Sequence, residues 1–271
     1  MPQYNKEAQK YVDRNNDLYE VVMLADKSGN FLSSNLINEI NISNGLDDTF
    51  KYQNVFGAVP EMPQNGSGSV WDINGTLYPF QAFNTAGILS LFCFITNGTT
   101  SFLDNGKIVT IIGLDEDYNE ISENIIISNG TGTGSKLFKR VNRAYTHDNL
   151  TNIDISIHST VIQKICIGKG TTLNTNYTIP SGYTGFITQG SCTCSLSSDA
   201  TVDMYIHHFG NGFINGHSLE VSGGGGQYLY KFTIPVKITE KSDIDVRAAV
   251  RTNKARITVS YDLIIMKNEI L

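Results

Sequence analysis

From about Pro60 to the C-terminus, apolar and polar residues alternate in short runs separated by turn residues. Alternation with a period of two puts successive side chains on opposite faces of a strand, so each run predicts a half-buried β-strand. The clearest is Ala255–Met266, where Ile257, Val259, Tyr261, Leu263 and Ile265 occupy every second position. Thr201–Phe209 alternates in the same way. Further strands are predicted at Leu89–Thr96, Ile108–Leu114, Ile121–Ser128, Val141–Tyr145, Ile153–His158, Gly185–Gln189, Ser191–Leu196, Gln227–Ile238 and Ile244–Val250. Asn97-Gly98 and Asn129-Gly130 suit type I′ turns, whose two central residues both need positive φ. Residues 110–127 read as a β-hairpin around the acidic tip Asp115-Glu116-Asp117.

The first sixty residues differ. Asn5–Ala25 is the most charged and most helix-compatible stretch, and it predicts an arm with one short helix, followed by a turn at Lys27–Asn30. The breaker run Pro60–Ser69 then reads as a linker, and Gly223–Gly226 as a hinge. The expected fold is all-β, with two β-sandwich or jelly-roll-like modules preceded by an N-terminal arm. The boundaries are 1–60 for the arm and linker, 61–168 for the first module and 169–271 for the second.

Composition narrows the class. Charged residues make up 17% of the 271, below the roughly 25% usual for soluble domains, and 40% are hydrophobic, which is too apolar for a disordered chain. The longest apolar stretch, Gly87–Ile95, is about half of what a spanning helix needs, so no membrane partner is expected. Twenty basic against 26 acidic residues give a net charge of −6, which argues against nucleic acid as the main partner. The N-terminus lacks the basic-then-apolar pattern of a secretory signal, and four cysteines do not make a disulfide framework, so a reducing site of synthesis is expected.

Candidate chemistry is sparse. Cys192 and Cys194 are spaced to share one face of a strand, which fits two buried thiols better than a metal pair. Asp203, His207 and His217 form the better metal candidate, provided that the glycines at 210, 212 and 216 fold the second half of the segment back as a hairpin. The 115–117 tip lacks the EF-hand loop pattern and reads as a solvated turn. There is no G-x-S-x-G elbow and no phosphate-binding loop, so neither enzymatic activity nor a cofactor is expected. Trp71, Tyr78 and Tyr183 are the aromatics on which a carbohydrate- or receptor-binding alternative rests.

Five segments carry a resemblance: Leu137–Tyr145, Tyr177–Ile187, His208–His217, Ile234–Ala248 and Tyr261–Ile265. Tyr177, Pro180, Gly182 and Ile187 form a strand–turn–strand pattern. Phe209-Gly210 and Phe213 form a hairpin pattern, with Asn211 where a second glycine is usual. Pro235, Glu240, Lys241, Asp243 and Ile244 form a third. In this order, over Thr110–Met266, the chain resembles β-rich virion structural proteins of tailed bacteriophages. The resemblance implies a capsid decoration (cement), neck, tail or head-fibre component, made in the host cytoplasm and located in the virion. Its partners would be major capsid, neck or tail subunits and its own copies, with a trimer favoured. Phe209, Phe213 and Ile214, with Glu240, Lys241, Asp243 and Arg247, are the expected intersubunit residues.

Overall fold

The computed structural model describes residues 9–12, 18–21, 50–73, 76–95, 99–148, 150–195, 198–222 and 227–270. The chain divides into two compact units, residues 1–51 and 52–271. In the first unit, β1 (Gln9–Val12) and β2 (Leu18–Val21) pair antiparallel, with Gln9 opposite Val21. A short helix is the sequence expectation there. Tyr11-Val12 and Leu18-Tyr19 form strands instead, because aromatic and β-branched residues favour the pleated conformation and no helical apolar face competes with it. The turn at 27–30, the 97–98 turn and the 223–226 hinge lie outside the described residues.

Sixteen further strands follow: β3 (Phe50–Met62), β4 (Ser67–Ser69), β5 (Gly87–Phe94), β6 (Ile108–Leu114), β7 (Glu120–Ile126), β8 (Thr131–Phe138), β9 (Arg140–Tyr145), β10 (Asn152–Ile157), β11 (Thr160–Ile165), β12 (Tyr177–Thr178), β13 (Tyr183–Cys194), β14 (Ala200–His207), β15 (Phe213–Val221), β16 (Gln227–Ile238), β17 (Asp243–Val250) and β18 (Ala255–Lys267). They build two sandwiches. One packs the sheet β16-β13-β18-β3 on the sheet β12-β17-β14-β15, with β4 also on β17; the other packs β11-β10-β5-β8 on β7-β6-β9. Alternation works as the sequence predicts: Ile257, Val259, Tyr261, Leu263 and Ile265 of β18 are all buried. Asn129 and Gly130 both take positive φ, as their turn requires.

The topology of the larger sandwich identifies it. Its strands in chain order are β3, then β4 with β12 as one broken strand, then β13 to β18. Numbered one to eight, they read 6-3-8-1 in one sheet and 5-4-7-2 in the other. Two sheets interleaved in this way by Greek-key connections are a jelly roll. The second strand is broken in an informative way. β4 faces Arg247–Ala249 and β12 faces Ile244 and Asp243, both along the same edge of β17. Between them, the Val70 N–H donates to the Val246 carbonyl at 2.7 Å. At that point the chain leaves, builds the other sandwich and returns, with the Thr175 N–H donating to the Val70 carbonyl at 3.1 Å.

The module boundaries therefore need correction. Val55, Val59, Met62 and Val70 belong to the jelly-roll core with Ile187, Ile257 and Leu263, whereas the smaller sandwich has its own core of Leu89, Leu91, Ile111, Phe138, Ile153 and Ile155. Residues placed by sequence in the arm and the first module are thus the opening strands of the last one. The physical reason is that strand pairing is long-range: Tyr52 Oη donates to Asp262 Oδ1 at 2.7 Å across 210 residues of chain.

Candidate functional site

The two sandwiches meet at a buried polar cluster centred on Asp243, the first residue of β17, which is 1% exposed. Arg140 opens β9 of the smaller sandwich and grips this carboxylate with two parallel bonds, Nε to Oδ1 at 2.8 Å and Nη2 to Oδ2 at 2.9 Å. Thr178 Oγ1 donates to Oδ1 at 2.6 Å, and His207 Nδ1 lies 3.2 Å from Oδ2. Burial alone would raise the carboxyl pKa, but the bonds from His207 and Arg140 and the guanidinium charge hold it below its ordinary value. The same bond to Asp243 raises His207. The Arg140 guanidinium also lies over the rings of Phe83, Tyr118 and Phe80, at 5.5 to 5.9 Å. Nearby, Asn142 Nδ2 donates to the Thr178 carbonyl at 3.0 Å and its Oδ1 accepts the Thr178 N–H at 2.9 Å, stitching β9 to β12. A bidentate pair closed on all sides fixes orientation as well as distance, so the cluster acts as a clamp between the two sandwiches.

Most of the residues expected at a subunit interface are part of this joint within one chain. Phe213 packs on Phe80 of the smaller sandwich at 5.3 Å and on the His207 ring at 4.8 Å. Phe209 meets Tyr118 edge-on at 5.8 Å, and Lys241 Nζ lies over both rings. Arg247 donates to Asp245 at 2.6 Å and lies over Tyr205 at 4.3 Å. Glu240 accepts the Gly182 N–H at the 181–182 turn. For Asp243 this is a correction: its charge is buried and fully engaged inside the chain. Ile214 is exposed, and Phe209 keeps much of its ring in solvent.

The metal trio is not assembled. Met204 pairs with His217, so that histidine shares the core-facing side of β14 and β15, while Asp203 and His207 point to the opposite face. Asp203 accepts from Asn215 Nδ2 at 3.2 Å, and the His217 ring packs on Tyr230 and Phe232. Among the described residues, no group of three or more His, Cys, Asp or Glu is placed to hold a metal ion. Cys192 and Cys194 are both buried on one face, as their spacing predicts, and burial pushes the Cys192 thiol up to about 12. Asp115 organises the acidic tip itself by accepting the Asp117 and Asn119 N–H groups, each at 2.9 Å. Trp71 and Tyr78 are 2% and 5% exposed and pack against each other, so neither ring offers a face to a sugar.

Two features escaped the sequence. Asp72 sits where the chain enters the smaller sandwich, and its Oδ2 accepts the N–H of Leu173, where the chain leaves, at 2.7 Å. Burial raises its carboxyl to about 7, despite that bond and the charges of Lys164 and Lys169. The second feature is β16. A sandwich strand normally hides alternate side chains, yet Tyr228, Leu229, Tyr230 and Ile234 are all exposed, Leu229 by 67% and Ile234 by 83%. The cause is local. Ile187 pairs with Val236 and Gln189 with Lys231, so the four residues Phe232–Pro235 stand opposite Thr188 alone, and the strand bulges away from β13.

The chain matches no protein-family profile and no curated protein sequence. Solved structures similar to it include infectious bursal disease virus Gt strain, at 10% identity over 82% of this chain and 72% of that one, with a TM-score of 0.23. The VP2 subviral particle of the same virus gives 11% identity over 82% and 73% of the two chains, with a TM-score of 0.21. The insecticidal delta-endotoxin Cry8Ea1 from Bacillus thuringiensis gives 9% identity over 68% and 53%, with a TM-score of 0.20. Likeness of this degree establishes neither a shared fold nor a shared function.

Proposed function

We propose that this chain is a non-enzymatic structural subunit of a virus particle, working through contacts with identical copies and with other virion proteins. The observation that carries this reading is β16: a long edge strand that exposes Tyr228, Leu229, Tyr230 and Ile234, with large apolar side chains on both faces. Exposed apolar surface of this kind marks interaction sites. The jelly roll and the clamped second sandwich fit a rigid, load-transmitting part, and jelly rolls serve in viral shells as well as in lectins and cupins. Within the particle we propose a tailed-phage role as a capsid decoration subunit or as a neck, tail or fibre component. This places the chain in the virion after synthesis in the host cytoplasm, against major capsid, neck or tail subunits. Immunogold labelling of purified particles from producing cells tests it. Label on shell, neck or fibre is expected; recovery of the chain only in the particle-free fraction would overturn it.

A further inference from the structure

β15 and β16 are the outermost strands of the jelly roll's two sheets and lie on the same side of the sandwich. A shallow apolar slot between them is lined by Met204, His217, Leu219, Tyr230 and Phe232. The two edges differ in charge. β16 carries Lys231 and Lys237 and no acid, while β15 carries Glu220 and neither lysine nor arginine. Glu220 is well exposed and already meets Arg251 at 2.8 Å, a surface pair that leaves its carboxylate accessible.

We propose that β16 of one copy docks against β15 and the adjoining slot of a second copy of this chain, whose own β16 docks in turn on β15 of the first, through side chains. The edge itself works against strand addition. Pro235 has no N–H to donate, the bulge at Phe232–Pro235 breaks the ladder, and lysines flank it. The same bulge pushes Ile234 outward as a fixed apolar knob, with Leu229 in the paired stretch that precedes it. Opposite charges on the two edges favour unlike strands meeting, whereas two β16 strands would bring lysines together. Because both edges lie on one side and line one slot, the contact is reciprocal and closes as a two-fold dimer. At roughly 3.3 Å per residue the twelve residues of β16 make a seam about 40 Å long.

This rests on the reading of the chain as an assembling subunit, and the test separates the two. Light scattering and sedimentation of the full chain are compared for three proteins. The wild type is expected to form a closed oligomer. Leu229→Asp with Ile234→Asp is expected to give monomers with an unchanged thermal melt, since both side chains are already in solvent. Lys231→Glu with Lys237→Glu is expected to weaken association about tenfold, and adding Glu220→Lys is expected to restore it. A wild type that is monomeric at high concentration sinks the subunit reading and this one with it. An oligomer indifferent to the aspartates, or charge reversal without rescue, sinks only the β16–β15 contact.

Discussion

At Asp243 a buried carboxylate is tolerated because Arg140, Thr178 and His207 replace the water it lost. Removing one partner from such a pair strands the other charge, which costs about 3–5 kcal/mol. Arg140→Ala is therefore expected to lower unfolding stability by about that amount in urea melts. Pairing it with Asp243→Asn should recover part of the loss; no recovery would mean that the guanidinium's packing on Phe80, Phe83 and Tyr118 dominates. Asp72 works in the other direction. Its folded pKa, about 7, lies above the ordinary carboxylate value, so the folded state binds a proton that the unfolded chain has released. Stability is expected to fall as pH rises from about 4 through 7, and Asp72→Asn, whose amide oxygen still accepts the Leu173 N–H, should flatten that slope in thermal melts across pH. An unchanged slope would assign the pH dependence elsewhere. Neither Asp72 nor Arg140 stood out as a site residue in the sequence. A lone Asp after a tryptophan and an Arg in a basic run carry no sign of burial until the far partner is known.

Among the elements, β18 and β14 were legible because one buried face writes a period of two directly into the chain. β3 was not. It lies beside a linker-like run, and the strand it joins, β18, is closed by residues about two hundred positions later, a distance over which local pattern says nothing. Gly57 marks its tightest point. A Cβ there would sit 2.7 Å from the Thr175 nitrogen and 2.8 Å from the Val70 oxygen, the backbone crossing through which the smaller sandwich is inserted. Backbone cannot give way as a side chain can, so Gly57→Ala is expected to cost about 1–3 kcal/mol, read as a lower melting temperature. A neutral substitution would show that the crossing is loose. The metal trio failed for a similar reason. Spacing put Asp203 and His207 on one face, but the bulge at Met204/Tyr205 sets His217 across from Met204, on the other.

For the whole molecule, all-β class and two sandwiches were readable from alternation and turns, but chain order misled on which residues build which. A jelly-roll strand interrupted by a second sandwich looks, residue by residue, like two modules in series. Phe209, Phe213, Lys241 and Asp243, expected at an intersubunit contact, lie at the joint that holds the insertion, because aromatic and charged side chains at strand ends mark an interface without saying whether it lies within or between chains. The side formed by β15 and β16 is left open for assembly, with Leu229 and Ile234 well exposed on it. Electron cryo-microscopy of the assembled full-length chain tests this most directly. The account predicts a two-fold dimer in which Ile234 of each copy is buried against β15 of the other; single copies, or a symmetric assembly that leaves β16 facing solvent, would contradict it.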